Sequence, residues 1–217
     1  MQVDAGGPIL FDLDGTLVAL GPPADELEDL REGLLRIARS AGVDPSSHSI
    51  LQIYDALVQN GGRDAAPAVR ARELLDAAEV SWADTATPLH AGWELPTLRN
   101  QGSLLGLVTS NGRRCVDALI ANAKLPDAFS GVVTRDEVTS LKPSAEPLVQ
   151  GVALLESAGA VGPFLFVGDS ATDEEAVHSF NARSRGAMRF VRVGGGNCTV
   201  TSFAAALAGQ ADRGELP

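Results

Sequence analysis

The sequence predicts an α/β protein, a Rossmann-like parallel-sheet core carrying an inserted all-helical cap domain. Three observations predict it. Short, almost continuously apolar runs recur at 8–11, 104–108, 131–133, 164–167 and 189–193. Helical patterns lie between them, for instance over 113–123 and 146–158. The stretch 18–86 breaks this alternation, with helical spacing throughout and no strand signal. Strands apolar at nearly every position are buried on both faces, and helices alternating with them cover both faces of a parallel sheet.

Each apolar run hands over to polar residues. The first delivers Asp12-Leu13-Asp14-Gly15-Thr16, the second Thr109-Ser110-Asn111-Gly112, the third Thr134-Arg135-Asp136 and the fourth Gly168-Asp169-Ser170. Ligands of open parallel sheets bind beyond the carboxyl ends of the strands. Asp12, Asp14, Thr109 and Asp169 are therefore expected along one edge of one sheet.

Inside the insert, Leu27, Leu30, Leu34, Leu35 and Ile37 repeat at helical spacing over 25–41, and Gly42 stops that helix. A second helix is expected over 50–58, closed by Asn60-Gly61-Gly62, and a third over 66–80 with Val69, Leu74 and Leu75. Ala19-Leu20-Gly21-Pro22-Pro23 and Thr85-Ala86-Thr87-Pro88 flank these helices and read as hinge-like linkers. The expected division is a core of residues 1–17 and 87–217 and a cap of residues 18–86.

Composition narrows the partners. The 217 residues carry a formal net charge of −11, which repels phosphate backbones and argues against a nucleic-acid partner. No apolar run approaches the ~20 residues that span a bilayer, and the start lacks a signal-peptide pattern, so a cytoplasmic protein without a membrane partner is expected. Cys115 and Cys198 have neither metal-ligand spacing nor the number a disulfide framework needs, and read as reduced thiols.

The central motif is Asp12-x-Asp14-Gly15-Thr16 after a strand. Two carboxylates one residue apart can divide two tasks: one attacks phosphorus, and the other protonates the leaving oxygen and then activates water. Taken alone, the same letters are also an Asp-Gly turn. Lys142 alone reads as a solvated lysine before a proline turn. Thr109-Ser110-Asn111 could cap the following helix, and Asp169 with Asp173 could cap another.

In combination these segments carry a resemblance. Phe11-Asp12-Leu13-Asp14-Gly15-Thr16-Leu17-Val18, Val108-Thr109-Ser110-Asn111, Leu141-Lys142-Pro143 and Gly168-Asp169-Ser170-Ala171-Thr172-Asp173 resemble, in order, the four motifs of the haloacid dehalogenase-like superfamily. The position of the insert matches that superfamily's helical cap type. The resemblance implies a phosphoric monoester hydrolase acting on a small phosphorylated metabolite. Asp12 would be the nucleophile that forms an aspartyl-phosphate. Asp14 would be general acid and then base. Thr109 would hydrogen-bond a phosphoryl oxygen, with Ser110 and Asn111 in the same substrate-binding loop, and Lys142 would neutralise charge. Mg²⁺ would be held by Asp12, the Asp14 backbone carbonyl, Asp169 and Asp173. At about 4 Å and an effective dielectric near 20, each carboxylate–phosphate repulsion is worth about 4 kcal/mol, so a divalent cation and a lysine are needed.

Among relatives of this type, Asp14 argues against a dehalogenase, and the absence of a lysine from the insert argues against a phosphonoacetaldehyde hydrolase. A phosphoglycolate phosphatase-like or sugar-phosphate phosphatase is the first reading. A β-phosphoglucomutase-like phosphomutase, or a binding module on the same fold, is the alternative. Arg63, in the cap turn Asn60-Gly61-Gly62-Arg63-Asp64, is the cap's candidate substrate-binding residue, against the reading of an exposed turn. Trp82 and Trp93 are expected in packing, His48, His90 and His178 as structural or exposed, and Gly194-Gly195-Gly196-Asn197 as a plain loop. Arg31, Arg36 and Arg39 are expected on a solvated helix face, and the end after Gly209 as polar.

Overall fold

A computed structural model describes residues 7–45, 49–184 and 188–194. His48, Cys198, most of the 194–197 loop and the end after Gly209 lie outside the described residues. In chain order the first half comprises β1 (Ile9–Phe11), β2 (Val18–Ala19), α1 (Ala24–Ser40), α2 (Ile50–Gly61), α3 (Ala66–Thr85), β3 (Thr87–Pro88) and α4 (His90–Asn100). The second half comprises β4 (Leu105–Val108), α5 (Arg113–Ala121), β5 (Gly131–Val133), a 3-10 turn (Arg135–Glu137), α6 (Glu146–Ser157), β6 (Phe164–Gly168), α7 (Ala171–Arg183) and β7 (Met188–Arg192).

Five strands form one sheet in the order β5-β4-β1-β6-β7. Every pairing in it is parallel, as the uninterrupted apolar runs require. β1 lies at the centre, with Phe11 beside both Leu107 of β4 and Val167 of β6. Leu10, Phe11, Leu107 and Phe166 are fully buried. This register sets the function-bearing edge: whatever follows Phe11 emerges between whatever follows Val108 and Val167.

The insert is built from amphipathic helices. Leu30, Leu34, Leu35 and Ala38 form the buried stripe of α1, Ile53, Tyr54, Leu57 and Val58 that of α2, and Ala68, Ala71, Leu75 and Trp82 that of α3. The three helices pack against one another, and such packing of apolar faces supplies most of a helix's stability in a folded protein. Along its other side α3 packs against α5 of the core. Arg31 and Arg36 lie on the outer face of α1 and pair with Glu28 and Glu32, as expected of a solvated face.

Two expectations need correction. The segment beginning at residue 18 does contain a strand: β2 pairs antiparallel with β3, Val18 beside Pro88 and Ala19 beside Thr87. Two-residue strands leave no periodic trace in sequence, and this pair is stabilised by a partner some seventy positions away. Trp93 does not pack in the interior. It is 64% exposed, on a groove of about 390 Å³ shared with Ile120, Lys124 and Pro126. Trp82, in contrast, is buried and donates its indole N–H to Glu26 at 2.7 Å. His90 and His178 are exposed.

Candidate active site

Asp12 follows β1 and is 7% exposed. Its amide continues the sheet by donating to Val167 O at 2.8 Å. The chain then turns sharply, because Gly15 adopts φ +85°. A Cβ at Gly15 would lie 2.3 Å from Asp169 Oδ2, so close approach as well as backbone conformation requires glycine. That turn sends Asp12 and Asp14 in different directions.

Lys142 enters from the loop before α6. Its Nζ donates to Asp12 Oδ1 at 2.5 Å, Asp173 Oδ1 at 2.6 Å and Val108 O at 3.3 Å. All three ammonium hydrogens are thus directed, and the side chain is 5% exposed. Burial works against the ammonium, but the charges of Asp12 and Asp173 outweigh it and hold Lys142 above the usual lysine pKa. Asp173 also takes two hydrogen bonds from Ser170, from the amide at 3.1 Å and the hydroxyl at 2.6 Å, closing a capping box on α7. The capping role and the lysine-holding role therefore coexist in one residue. Burial would raise the Asp173 carboxyl, yet Lys142 and Ser170 hold it below the carboxylate range. Burial pushes Asp12 up, against the pull of Lys142. Asp169 is raised as well, by burial and then by Asp173.

Oxygens of Asp12, Asp169 and Asp173 all lie within 4.8 Å of one another. Three carboxylates around one ammonium leave excess negative charge, and an all-oxygen donor set beside it fits a hard divalent cation such as Mg²⁺. The Asp14 side chain is not in this group. Its Oδ1 accepts from Leu20 N at 2.9 Å, in the linker to the insert. Burial against the protein raises its carboxyl, with the Leu20 and Gly15 amides opposing.

Thr109 is buried beyond β4 and donates to Asn111 Oδ1 at 2.9 Å, while Asn111 N donates back to Thr109 Oγ1 at 3.1 Å. Ser110 is half-buried beside it. Gly112, not one of these polar residues, is the N-cap of α5. Arg63 lies half-buried between α2 and α3, where its charge reaches the Tyr54 hydroxyl; it is not drawn into the carboxylate group.

Sequence reasoning missed a second buried cluster. Arg135, 1% exposed, donates Nη1 to Glu79 Oε1 at 2.7 Å and Nη2 to Asp76 Oδ1 at 2.7 Å and Glu79 Oε2 at 3.0 Å. Nη1 also donates to Ser110 O at 3.0 Å, and the guanidinium stands over the Tyr54 ring. Its Nε–H has no acceptor. A signal existed: Glu79 falls four residues after Leu75 and three before Trp82, a charge set into an apolar helical stripe.

A family model described as haloacid dehalogenase-like hydrolase matches residues 9–187. The chain belongs to the haloacid dehalogenase-like hydrolase family. Among the chain's relatives, Pyrophosphatase PpaX of Bacillus cereus (strain B4264) is 37% identical over 76 residues, covering 35% of this chain and 34% of that protein. The matched stretch is thus about a third of the relative's length. CbbY from Rhodobacter sphaeroides, solved in complex with phosphate, superposes with a TM-score of 0.59 at 17% identity, over 87% of this chain and 86% of that one. A phosphatase from Thermococcus onnurineus in the same superfamily superposes with a TM-score of 0.54 at 21% identity, over 88% of each chain. At these identities the structural likeness speaks for the fold. Among the described residues of this family member, no helix is long and apolar enough to cross a membrane.

Proposed function

We propose that this hydrolase is a Mg²⁺-dependent phosphatase that cleaves a small phosphorylated metabolite through an aspartyl-phosphate on Asp12. The observation that carries the reading is Lys142 Nζ held between Asp12 and Asp173, with Asp169 close enough to complete a cation site. The relatives' names, pyrophosphatase and phosphatase, agree with phosphoryl chemistry.

In this reading an Asp12 oxygen attacks phosphorus in line with the leaving group. Asp14, its carboxyl raised by burial, gives its proton to the departing oxygen as that P–O bond breaks. The resulting Asp14 carboxylate takes a proton from water, which attacks phosphorus, frees Asp12 and releases inorganic phosphate. Lys142 favours the ionised form of Asp12 against its burial and balances the charge gathering around phosphorus. The Ser110 amide binds a phosphoryl oxygen, and so does Thr109 once its single hydroxyl proton turns from Asn111 Oδ1 to the substrate. Asp12, Asp169, Asp173 and the Asp14 carbonyl would hold Mg²⁺, which when bound supplies the charge compensation that lets an anionic substrate approach.

Residues 18–86 act as the cap in this proposal. Its helix α2 reaches the lysine-bearing loop through Gln59, which donates to Thr139 O at 3.2 Å and Ser140 Oγ at 3.3 Å. A cap seated so closely favours small leaving groups, and Arg63 would meet an anionic part of the substrate. A cytoplasmic location belongs to the same reading.

The test is phosphate release from an aryl phosphate and a panel of phosphorylated metabolites, with Mg²⁺ and with excess chelator. Turnover of at least one small phosphate ester that chelation stops and Mg²⁺ restores is expected. Undiminished turnover in chelator rejects the metal assignment, and silence across the panel with Mg²⁺ present rejects phosphatase activity.

A further inference from the structure

The loop proposed to bind the phosphoryl group is not held in place by the core alone. Thr109 directs its hydroxyl at Asn111 Oδ1. The other end of that amide, Asn111 Nδ2, donates to Glu79 Oε1 at 3.2 Å, and Gly112 N donates to Glu79 Oε2 at 2.9 Å. Glu79 belongs to α3, a helix of the insert, and is 3% exposed. Two successive residues of the loop therefore take their orientation from one carboxylate that the insert supplies.

The chemistry fixes the direction of this chain of contacts. An ionised carboxylate only accepts hydrogen bonds, so the Asn111 NH₂ must face Glu79 and its carbonyl oxygen must face Thr109. Neutralising Glu79 removes that constraint. Arg135 pairs with it: the guanidinium donates to both Glu79 oxygens, to Asp76 Oδ1 and to Ser110 O. Burial works against the Arg135 charge, and Glu79 and Asp76 outweigh it. The fit leaves no room for a side chain at Gly112, whose Cβ would lie 2.4 Å from Asp76 Oδ1 and 2.7 Å from Arg135 Nη2.

We infer that Glu79 is a positioning residue for phosphoryl binding: through Asn111 and the Gly112 amide it sets the Thr109–Gly112 loop, so that a seated insert is a condition for a formed phosphoryl pocket. The inference rests on the phosphatase reading above. Glu79 touches neither substrate nor the reacting carboxylates. It acts through Thr109, and a displacement of that hydroxyl by about 1 Å is enough to lower turnover by about 100-fold.

A double-mutant cycle tests it, with kcat and KM for an aryl phosphate read beside the affinity for inorganic phosphate. Glu79→Gln is nearly isosteric, and kcat/KM is expected to fall about 10–100-fold in the wild-type background. In a Thr109→Ala background the same change should cost less than about threefold, because the group it positions is already gone. Phosphate affinity should follow the same pattern. A merely structural role would lower the folded fraction but multiply independently with Thr109→Ala; equal losses in both backgrounds overturn the inference while leaving the phosphatase reading intact. Should Glu79→Gln fail to fold, Asn111→Ala replaces it in the cycle. It removes the bridge without disturbing a buried charge, and equal losses in the two backgrounds count against the inference in the same way. A wild-type protein that neither turns over phosphate esters nor binds phosphate rejects both the phosphatase reading and this one.

Discussion

Lys142 and Arg135 are each buried between two carboxylates, one at the end of the sheet and one at the joint between insert and core. They differ in how completely their partners are satisfied. Around Arg135, both Glu79 oxygens carry two donors each, from the guanidinium and from Asn111 or Gly112. Around Lys142, Asp12 Oδ2 takes a long contact from Thr16 Oγ1, at 3.5 Å, and Asp169 Oδ1 another at 3.4 Å. Excess charge with spare acceptors suits a ligand cation, whereas filled acceptors suit a permanent joint. The choice of cation follows the same logic. A planar fork locks two surfaces together, and a point charge on a flexible stem can shift as phosphorus chemistry proceeds.

The comparison is broken most severely at Asp12. Asp12→Asn should reduce phosphate release at least about 10³-fold while the far-UV spectrum stays native, since removing a nucleophile collapses covalent catalysis. Appreciable residual turnover in the purified variant would show that Asp12 is not the attacking group. Asp14→Asn should lower kcat about 10²–10⁴-fold and change KM much less, because proton transfer belongs to the transition state. An altered KM with an unchanged kcat would contradict that role.

At the joint the expected damage is to stability. Arg135→Met leaves Asp76 and Glu79 buried without their cation and should cost about 3–5 kcal/mol in urea unfolding. A loss under about 1 kcal/mol would mean that the joint contributes no more than a surface ion pair does. A metal titration sharpens the contrast between the two clusters. With Mg²⁺ at about 100 times its dissociation constant the wild-type protein should gain about 2.7 kcal/mol, and Asp169→Ala should gain almost none. Equal gains would place the ion elsewhere. The smallest effect concerns Cys115, which is fully buried and whose thiol burial pushes up, with Glu79 adding to the rise. Iodoacetamide at pH 8 should leave the Cys115 peptide unmodified in the native protein; rapid native-state labelling would show that α5 opens easily.

The sheet was legible because its strands are buried on both faces and read as apolar runs, and each predicted run lies within about one residue of an observed strand. The convergence of Asp12, Lys142, Asp169 and Asp173 was legible through motif order. What escaped was non-local or main-chain. β2 and β3 are too short to carry a period. The linker after Val18 has no polar side chain near Asp14, yet the Leu20 amide holds that carboxylate, and a backbone N–H has no letter of its own. Arg135 looked like the polar end of a strand because its partners lie fifty-six and fifty-nine positions away on a helix of the insert.

The two-residue ribbon has a consequence for how such a molecule can be rebuilt. Val18 and Ala19 leave the sheet domain directly alongside Thr87 and Pro88, which return to it. The whole helical segment is thus a closed detour whose two ends meet. A short hairpin turn of the kind that joins antiparallel strands could bridge them without altering the register of any strand in the main sheet. Grafting a foreign segment at this junction is therefore a local operation for the backbone. It is a global one for the carboxylate at position 79, and any replacement that omits an acceptor there leaves the Asn111 amide and the Gly112 N–H without their partner.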